Sequence, residues 1–132
     1  MTDKILVVDD NDLDQQIFRD LLESAGYFVD TVNSGEEALK TLKERLDDYK
    51  LVILDMFMPG MSGQETLRHI RKLKRELKVM IVSAYLTDIT NKVMLGLGAR
   101  HCLKKPVDRD VLLGAVSDLT EEKSEVNQEA SL

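Results

Sequence analysis

Asp9, Asp10, Asp55, Ser83 and Lys105 are the residues whose types could do chemistry together, since each stands at or just behind the end of a short apolar run. Three carboxylates drawn within a few ångströms of one another repel, and such a cluster is favoured only where a cation lies between them or some of them protonate. With no His or Cys among them, the all-oxygen donor set suits a hard ion, Mg2+ or Mn2+, that keeps some of its waters, and disfavours zinc. A lysine ammonium and a serine hydroxyl are donors that a metal-neutralised carboxylate does not itself require. They suit further anionic oxygens, such as those of a phosphoryl group.

Four segments so far apart in the chain meet only if the elements beneath them end side by side. Residues 5–8, 51–54 and 79–82 are uninterrupted apolar tetrads, the pattern of strands buried on both faces of a parallel sheet. Residues 28–32 mix Asp30 and Thr31 among apolar neighbours, as an edge strand does, and residues 100–104 form a weaker fifth strand. Helical spacing fills the intervals. Leu13, Ile17, Leu21 and Leu22 run up to Gly26, and Ala38, Leu39, Leu42 and Leu46 follow the pair Ser34 and Glu37. Leu67, Ile70 and Leu73 follow Ser62 and Glu65, Ile89, Val93, Met94 and Leu97 follow Asp88, and Val111, Leu112, Ala115, Val116 and Leu119 follow Asp108. Ser-x-x-Glu is a capping box, and all five stripes are expected to face the core.

Strict strand-helix alternation predicts an α/β fold: a doubly wound, five-stranded parallel sheet with helices on both faces, flavodoxin-like, in the order 2-1-3-4-5. The half-polar second strand takes one edge. In such a sheet the carboxyl ends of all strands lie along one border, and there the five polar residues converge.

On that frame the chain carries Asp9-Asp10 behind the first strand and Asp55-Met56-Phe57-Met58-Pro59-Gly60-Met61-Ser62-Gly63 behind the third. Ser83-Ala84 follows the fourth and Lys105-Pro106 the fifth. It thereby resembles the receiver domain of two-component response regulators over about residues 3–120. The resemblance implies that Asp55 is the phospho-acceptor, taking a phosphoryl group from a sensor histidine kinase or a histidine phosphotransfer protein. It further implies that Asp10 binds Mg2+ (or Mn2+) directly and Asp9 chiefly through water, with Asp55 and the backbone carbonyl of Phe57 as the remaining protein ligands. Lys105 would stabilise the charge on the transferred group, and Ser83 would hydrogen-bond it and be drawn inward. Because the motif sets Lys directly before Pro, Lys104 reads as a solvated neighbour, and the Lys105-Pro106 bond is expected to be cis.

One position departs from the pattern. Receivers commonly carry Tyr or Phe three residues before the motif lysine, and here that residue is Cys102, read as a small apolar residue rather than a redox or metal group. The usual aromatic toggle is therefore missing, and Ser83 is left to couple to the following helix through Tyr85. Phe57 and Tyr85, two after Asp55 and two after Ser83, are expected to flank the path of a hydrolytic water and so to set the lifetime of the phosphoryl group. His101 reads as a surface residue, and Gly96-Leu97-Gly98 as a helix stop rather than a dinucleotide loop.

Rival functions fit less well. An aspartate-nucleophile phosphohydrolase places a general acid two residues after the nucleophile, where this chain has Phe57. A nucleotide or flavin module needs a glycine- or hydroxyl-rich first loop, and Asp9-Asp10-Asn11-Asp12 would repel phosphate. The remaining alternative is a phosphorylation-independent pseudo-receiver that serves only as an interaction domain.

The 132 residues predict one domain, residues 1–120, followed by an acidic tail, residues 121–132, expected to be disordered. A net charge of -6 argues against direct DNA binding, so the expected output is a contact with a downstream protein target. The basic residues between Arg68 and Lys78 read as a solvated helix face. No apolar run exceeds four residues, so neither a membrane span nor a signal peptide is expected, and the single cysteine fits a cytoplasmic location. The chain is expected to be a signalling switch that catalyses only its own phosphorylation and dephosphorylation.

Overall fold

A computed structural model describes residues 4–121. In chain order the elements are β1 (Lys4–Val8), α1 (Asp12–Ser24), β2 (Phe28–Val32), α2 (Gly35–Glu44), a 3-10 turn (Leu46–Asp48) and β3 (Tyr49–Asp55). They continue with α3 (Gly63–Leu73), β4 (Lys78–Ser83), α4 (Asp88–Gly96), β5 (His101–Lys104) and α5 (Arg109–Thr120). Every strand pair is parallel and the sheet runs β2-β1-β3-β4-β5, the order the sequence predicts. Except for Glu121, the expected acidic tail lies outside the described residues. No described helix is long and apolar enough to cross a membrane.

The tetrads are unbroken because both sides of each central strand are covered. Leu6, Val8, Val52, Leu54, Val79 and Ile81 enter one core with the inner faces of α2, α3 and α4. Ile5, Val7, Leu51, Ile53, Met80 and Val82 enter the other with α1 and α5. Each such side chain, fully buried, stabilises the fold by roughly 1.5–3 kcal/mol. Register then fixes where the strands stop: Val8 pairs with Leu54, Asp55 with Val82, and Ser83 with Lys104.

Helix starts follow the caps, with two adjustments. Ser62 Oγ accepts from the Glu65 N–H at 3.2 Å while Glu65 Oε1 accepts from the Ser62 N–H at 3.4 Å, a complete capping box. At α2 only half of the expected box forms, because Glu37 Oε1 accepts from the Asn33 N–H instead. The α4 cap is Thr87, paired reciprocally with Thr90, and Asp88 is the first helical residue. Asp108 caps α5 as expected. A side-chain cap of this kind is worth about 1 kcal/mol.

Five residues expected in the core are exposed: Leu13 (69%), Ile17 (42%), Ile89, Val93 and Val111. The reason is rotation about the helix axis. On α1 the buried residues are Phe18 and Leu22, and at roughly 100° per residue Ile17 and Leu13 lie about 140° and 180° around from Leu22. Ile89 stands in the same relation to buried Met94 on α4, and Val111 sits one residue off the buried line Leu112, Val116 and Leu119. Leu46 has left the α2 stripe for the 3-10 turn, where it still packs against the core.

Gly63 stands where α3 comes closest to the end of β3. Its N–H donates to the Met56 carbonyl at 3.0 Å, tying the first residue of the helix to the strand that carries Asp55. A Cβ there would run into the Asp55 carbonyl oxygen and the Met56 Cα. Only glycine lets the two backbones approach this closely.

Candidate functional site

Asp9 continues directly from β1, its N–H donating to the Val32 carbonyl at 3.1 Å, and it is only 2% exposed. One of its carboxylate oxygens accepts the Asn11 N–H at 2.9 Å, and Asn11 in turn caps α1 by accepting from the Asp14 N–H. Gln15, which carries no signal in the sequence, spans the loop: its Nε2 donates to the carbonyls of Asp9 (2.6 Å) and Val32 (3.2 Å). Asp10 is exposed beside it. Asp55 closes β3 and is 8% exposed, with the Phe57 N–H 3.4 Å from its Oδ1. Fully buried Ser83 closes β4, its Oγ accepting from the Tyr85 N–H at 3.1 Å.

Ligand oxygens of Asp9, Asp10 and Asp55 all lie within 4.8 Å of one another. Three oxygens of this kind, two of them on buried carboxylates, fit a hard divalent cation. Opposite them stands Lys105, whose Nζ donates to Asp9 Oδ2 at 2.7 Å and to Asp14 Oδ2 at 2.9 Å, and lies 3.7 Å from Asp55 Oδ2. The first two are charge-assisted hydrogen bonds; the third is a Coulombic contact too long to be one. Asp14 is thus a partner of the site lysine to which the sequence gives no role. Its only signal is the spacing of one helical turn after Asp10.

The Asp55 carboxyl is shifted strongly. Burial raises the pKa of Asp55, and the charges of Asp9 and Asp10 raise it further, while Lys105 and the Phe57 N–H work against them; the result is a value of about 6. Burial alone would lower the pKa of the Lys105 ammonium, but its hydrogen bonds to Asp9 and Asp14 and the charge of Asp55 outweigh burial, and the pKa is raised. Like charges held in a half-dry hollow have this effect.

The hollow itself, about 210 Å³, is lined by Asp10, Asp14, Asp55, Ser83, Lys105 and the rings of Phe57 and Tyr85. A smaller one beside it is walled by Ile17, Phe18, Pro106 and Val107. Lys104 is exposed, and the Lys105-Pro106 bond is cis. Cys102 is half-buried against the α4 side of the core, and burial pushes its thiol up to about 11. His101 is exposed.

A five-stranded parallel sheet of this order, with an acidic trio, a hydroxyl and a lysine at its carboxyl border, is the flavodoxin-like doubly wound α/β fold rather than the six-stranded dinucleotide fold. Residues 5–117 match the response regulator receiver domain, and the chain belongs to that family. It is 44% identical over 110 residues to the transcriptional regulatory protein CpxR homolog of Haemophilus influenzae, covering 83% of this chain and 47% of that one. Over 120 residues it is 36% identical to the sensory/regulatory protein RpfC of Xanthomonas campestris, covering 88% of this chain and 16% of that one. The chain thus spans less than half the length of these relatives. Among solved structures, a response regulator receiver domain protein from Clostridium thermocellum superposes with a TM-score of 0.88 at 32% identity, covering 94% of this chain and 98% of that one. A chain of the CheX-CheY-BeF3-Mg2+ complex from Borrelia burgdorferi does so with a TM-score of 0.86 at 30% identity, covering 89% and 88%.

Proposed function

We propose that this receiver domain is a phospho-accepting switch in which Asp55 takes a phosphoryl group from the phosphohistidine of a sensor kinase or a histidine phosphotransfer protein. The observation that carries the reading is the meeting of two groups: the trio Asp9, Asp10 and Asp55, with ligand oxygens within 4.8 Å of one another, and the Lys105 ammonium 3.7 Å from Asp55. An Asp55 oxygen attacks phosphorus as the bond to the donor's imidazole nitrogen breaks, the imidazole leaves with that electron pair, and an acyl phosphate forms. Lys105 supplies a charged donor to the transferred oxygens, and Ser83 Oγ, already buried beside Asp55, supplies a neutral one. Mg2+, or Mn2+ in its place, when bound supplies positive charge shared between the acceptor and the transferred group, and its protein ligands would be Asp9, Asp10, Asp55 and the Phe57 backbone carbonyl. Return to the resting state is attack of water on phosphorus, with Asp55 leaving as carboxylate.

The exposed apolar residues Ile17 on α1 and Phe57 and Tyr85 at the mouth of the hollow support a protein as donor, since they give it apolar ground beside the acceptor. Output runs from Ser83 through the Tyr85 N–H toward α4, because Cys102 offers no ring to move. We take the downstream target to be a protein rather than DNA, reached in the cytoplasm through residues 1–120, with residues 121–132 as a separate acidic tail. Acetyl phosphate tests the core of this reading. One phosphoryl group, read by intact mass, should add in Mg2+ and none in excess chelator, and Asp55→Asn should abolish it; unchanged labelling of that variant would sink the acceptor assignment.

A further inference from the structure

Asp14 touches the site lysine but is not one of the three carboxylates that share the cation cluster. Its place is fixed from behind: the Asn11 side chain accepts the Asp14 N–H at 2.9 Å, which pins it in the first turn of α1, and a short side chain on a pinned backbone presents its charge at nearly one point. From there Oδ2 reaches Lys105 Nζ at 2.9 Å, against 2.7 Å for Asp9 and 3.7 Å for Asp55. An ammonium has three N–H groups to give. Two of them are spent on Asp9 and Asp14, on the α1 side of the hollow, and the contact left toward Asp55 is the longest of the three. A cation held by Asp9, Asp10 and Asp55 would answer the charge of those carboxylates and leave Asp14 as the rival claimant on the lysine.

We propose that Asp14 is a positioning residue that holds Lys105 back from Asp55, so that the lysine closes fully on a phosphoryl group on Asp55 at the expense of its hydrogen bond to the Asp14 carboxylate. This deepens the phospho-acceptor reading and rests on it. Removing the charge of Asp14 while keeping its shape releases the lysine, speeding phosphoryl transfer and raising the steady phosphorylated fraction. Lengthening the side chain by one methylene keeps the charge and the restraint.

The test compares parent, Asp14→Asn and Asp14→Glu with acetyl phosphate at saturating Mg2+, following initial labelling by intact mass. Asp14→Asn should label about twofold to fivefold faster, the reach of a partly exposed ion pair, and Asp14→Glu should stay near the parent. A second measurement needs no phosphoryl transfer: melting in chelator of the parent, Asp14→Asn, Lys105→Gln and the double variant, where the two changes should be markedly less than additive. A parent that labels while Asp14→Asn labels no faster overturns the Asp14 proposal alone. Asp14→Glu as fast as Asp14→Asn, or additive melting, overturns it too. A parent that does not label overturns the phospho-acceptor reading and this proposal with it.

Discussion

The rings of Phe57 and Tyr85 meet edge to face, centroids 5.7 Å apart and planes at 82°, and both line the hollow that holds Asp55 and Ser83. On the phospho-acceptor reading, water attacking an acyl phosphate on Asp55 would enter through the mouth that these rings line, and the pair offers it one phenol at most. The phosphoryl group should therefore persist, with resetting left mainly to a partner. Orienting a water is worth roughly tenfold to a hundredfold in rate, about 1.4–2.7 kcal/mol of barrier. Phe57→Asn combined with Tyr85→Glu should speed loss of phosphate by that factor. The check is decay of phosphorylated protein after the donor is removed, at equal Mg2+, and a parent that decays as fast as the double variant contradicts the shielding.

Mg2+ should stabilise the fold. At about ten times its dissociation constant the ion adds roughly 1.4 kcal/mol by mass action, seen as a rise in melting temperature. Asp10→Ala, which removes the exposed member of the trio, should lose that rise and should melt no lower than the parent in chelator, since it relieves like-charge repulsion. Equal stabilisation of both proteins would move the ion elsewhere.

The contribution of Asp55 to stability without metal should fall as pH rises past its pKa. Asp55 has its pKa raised in the folded chain from 3.8 to about 6, so the folded state binds its proton more tightly than the unfolded state does. That contribution is complete below about pH 4 and lost as pH climbs through about 6. Asp55→Asn cannot titrate. In chelator, the parent should lose up to about 3 kcal/mol relative to this variant between about pH 4 and pH 7.5. Denaturant melts of the pair across that range measure it, and a constant difference would refute the shift. The lowered pKa of Asp30, held by Tyr49 and Lys4 against the effect of burial, is common to both proteins and cancels.

Gly63→Ala should damage fold and site together. The added methyl would press on the Asp55 carbonyl and sit 2.7 Å from the Met56 Cα, backbone that cannot swing aside, so a loss of about 1–3 kcal/mol is expected along with slower labelling. Gly114 in α5 is the control. A Cβ there meets nothing within 4 Å, and Gly114→Ala should gain about 0.5–1 kcal/mol. Denaturant midpoints of the two variants should move in opposite directions.

Strands and their order were legible because burial on both faces leaves an unbroken apolar run that needs no phase assignment, and polar residues at the ends of those runs then mark one border of the sheet. Helix faces were harder to read. Leu13 and Ile17 keep helical spacing with Leu21, yet the line that is buried runs through Phe18 and Leu22. Spacing alone does not say which of two apolar lines turns inward. Asp14 illustrates a different limit: its place one turn after Asp10 is visible, but its partner Lys105 lies 91 residues away, and only the closed sheet brings them together. Gln15 acts through two backbone carbonyls, a role that leaves no pattern in residue types. At α4, Thr87 captures the cap that Asp88 seemed placed to make, since two threonines three residues apart can cap reciprocally.

The bond between Lys105 and Asp9 joins residues 96 positions apart, from just past the end of β5 to just past the end of β1. A chain emerging from synthesis can therefore make its acidic trio once β1 and β3 are in place, but it gains the lysine only when β5 docks on β4 at the far edge. Loop closure over such a separation comes late in folding. Until then the trio lacks Lys105. On the phospho-acceptor reading, competence to accept phosphate would then come only with complete folding, and an unfinished or truncated sheet would stay silent to its donor rather than send a false signal.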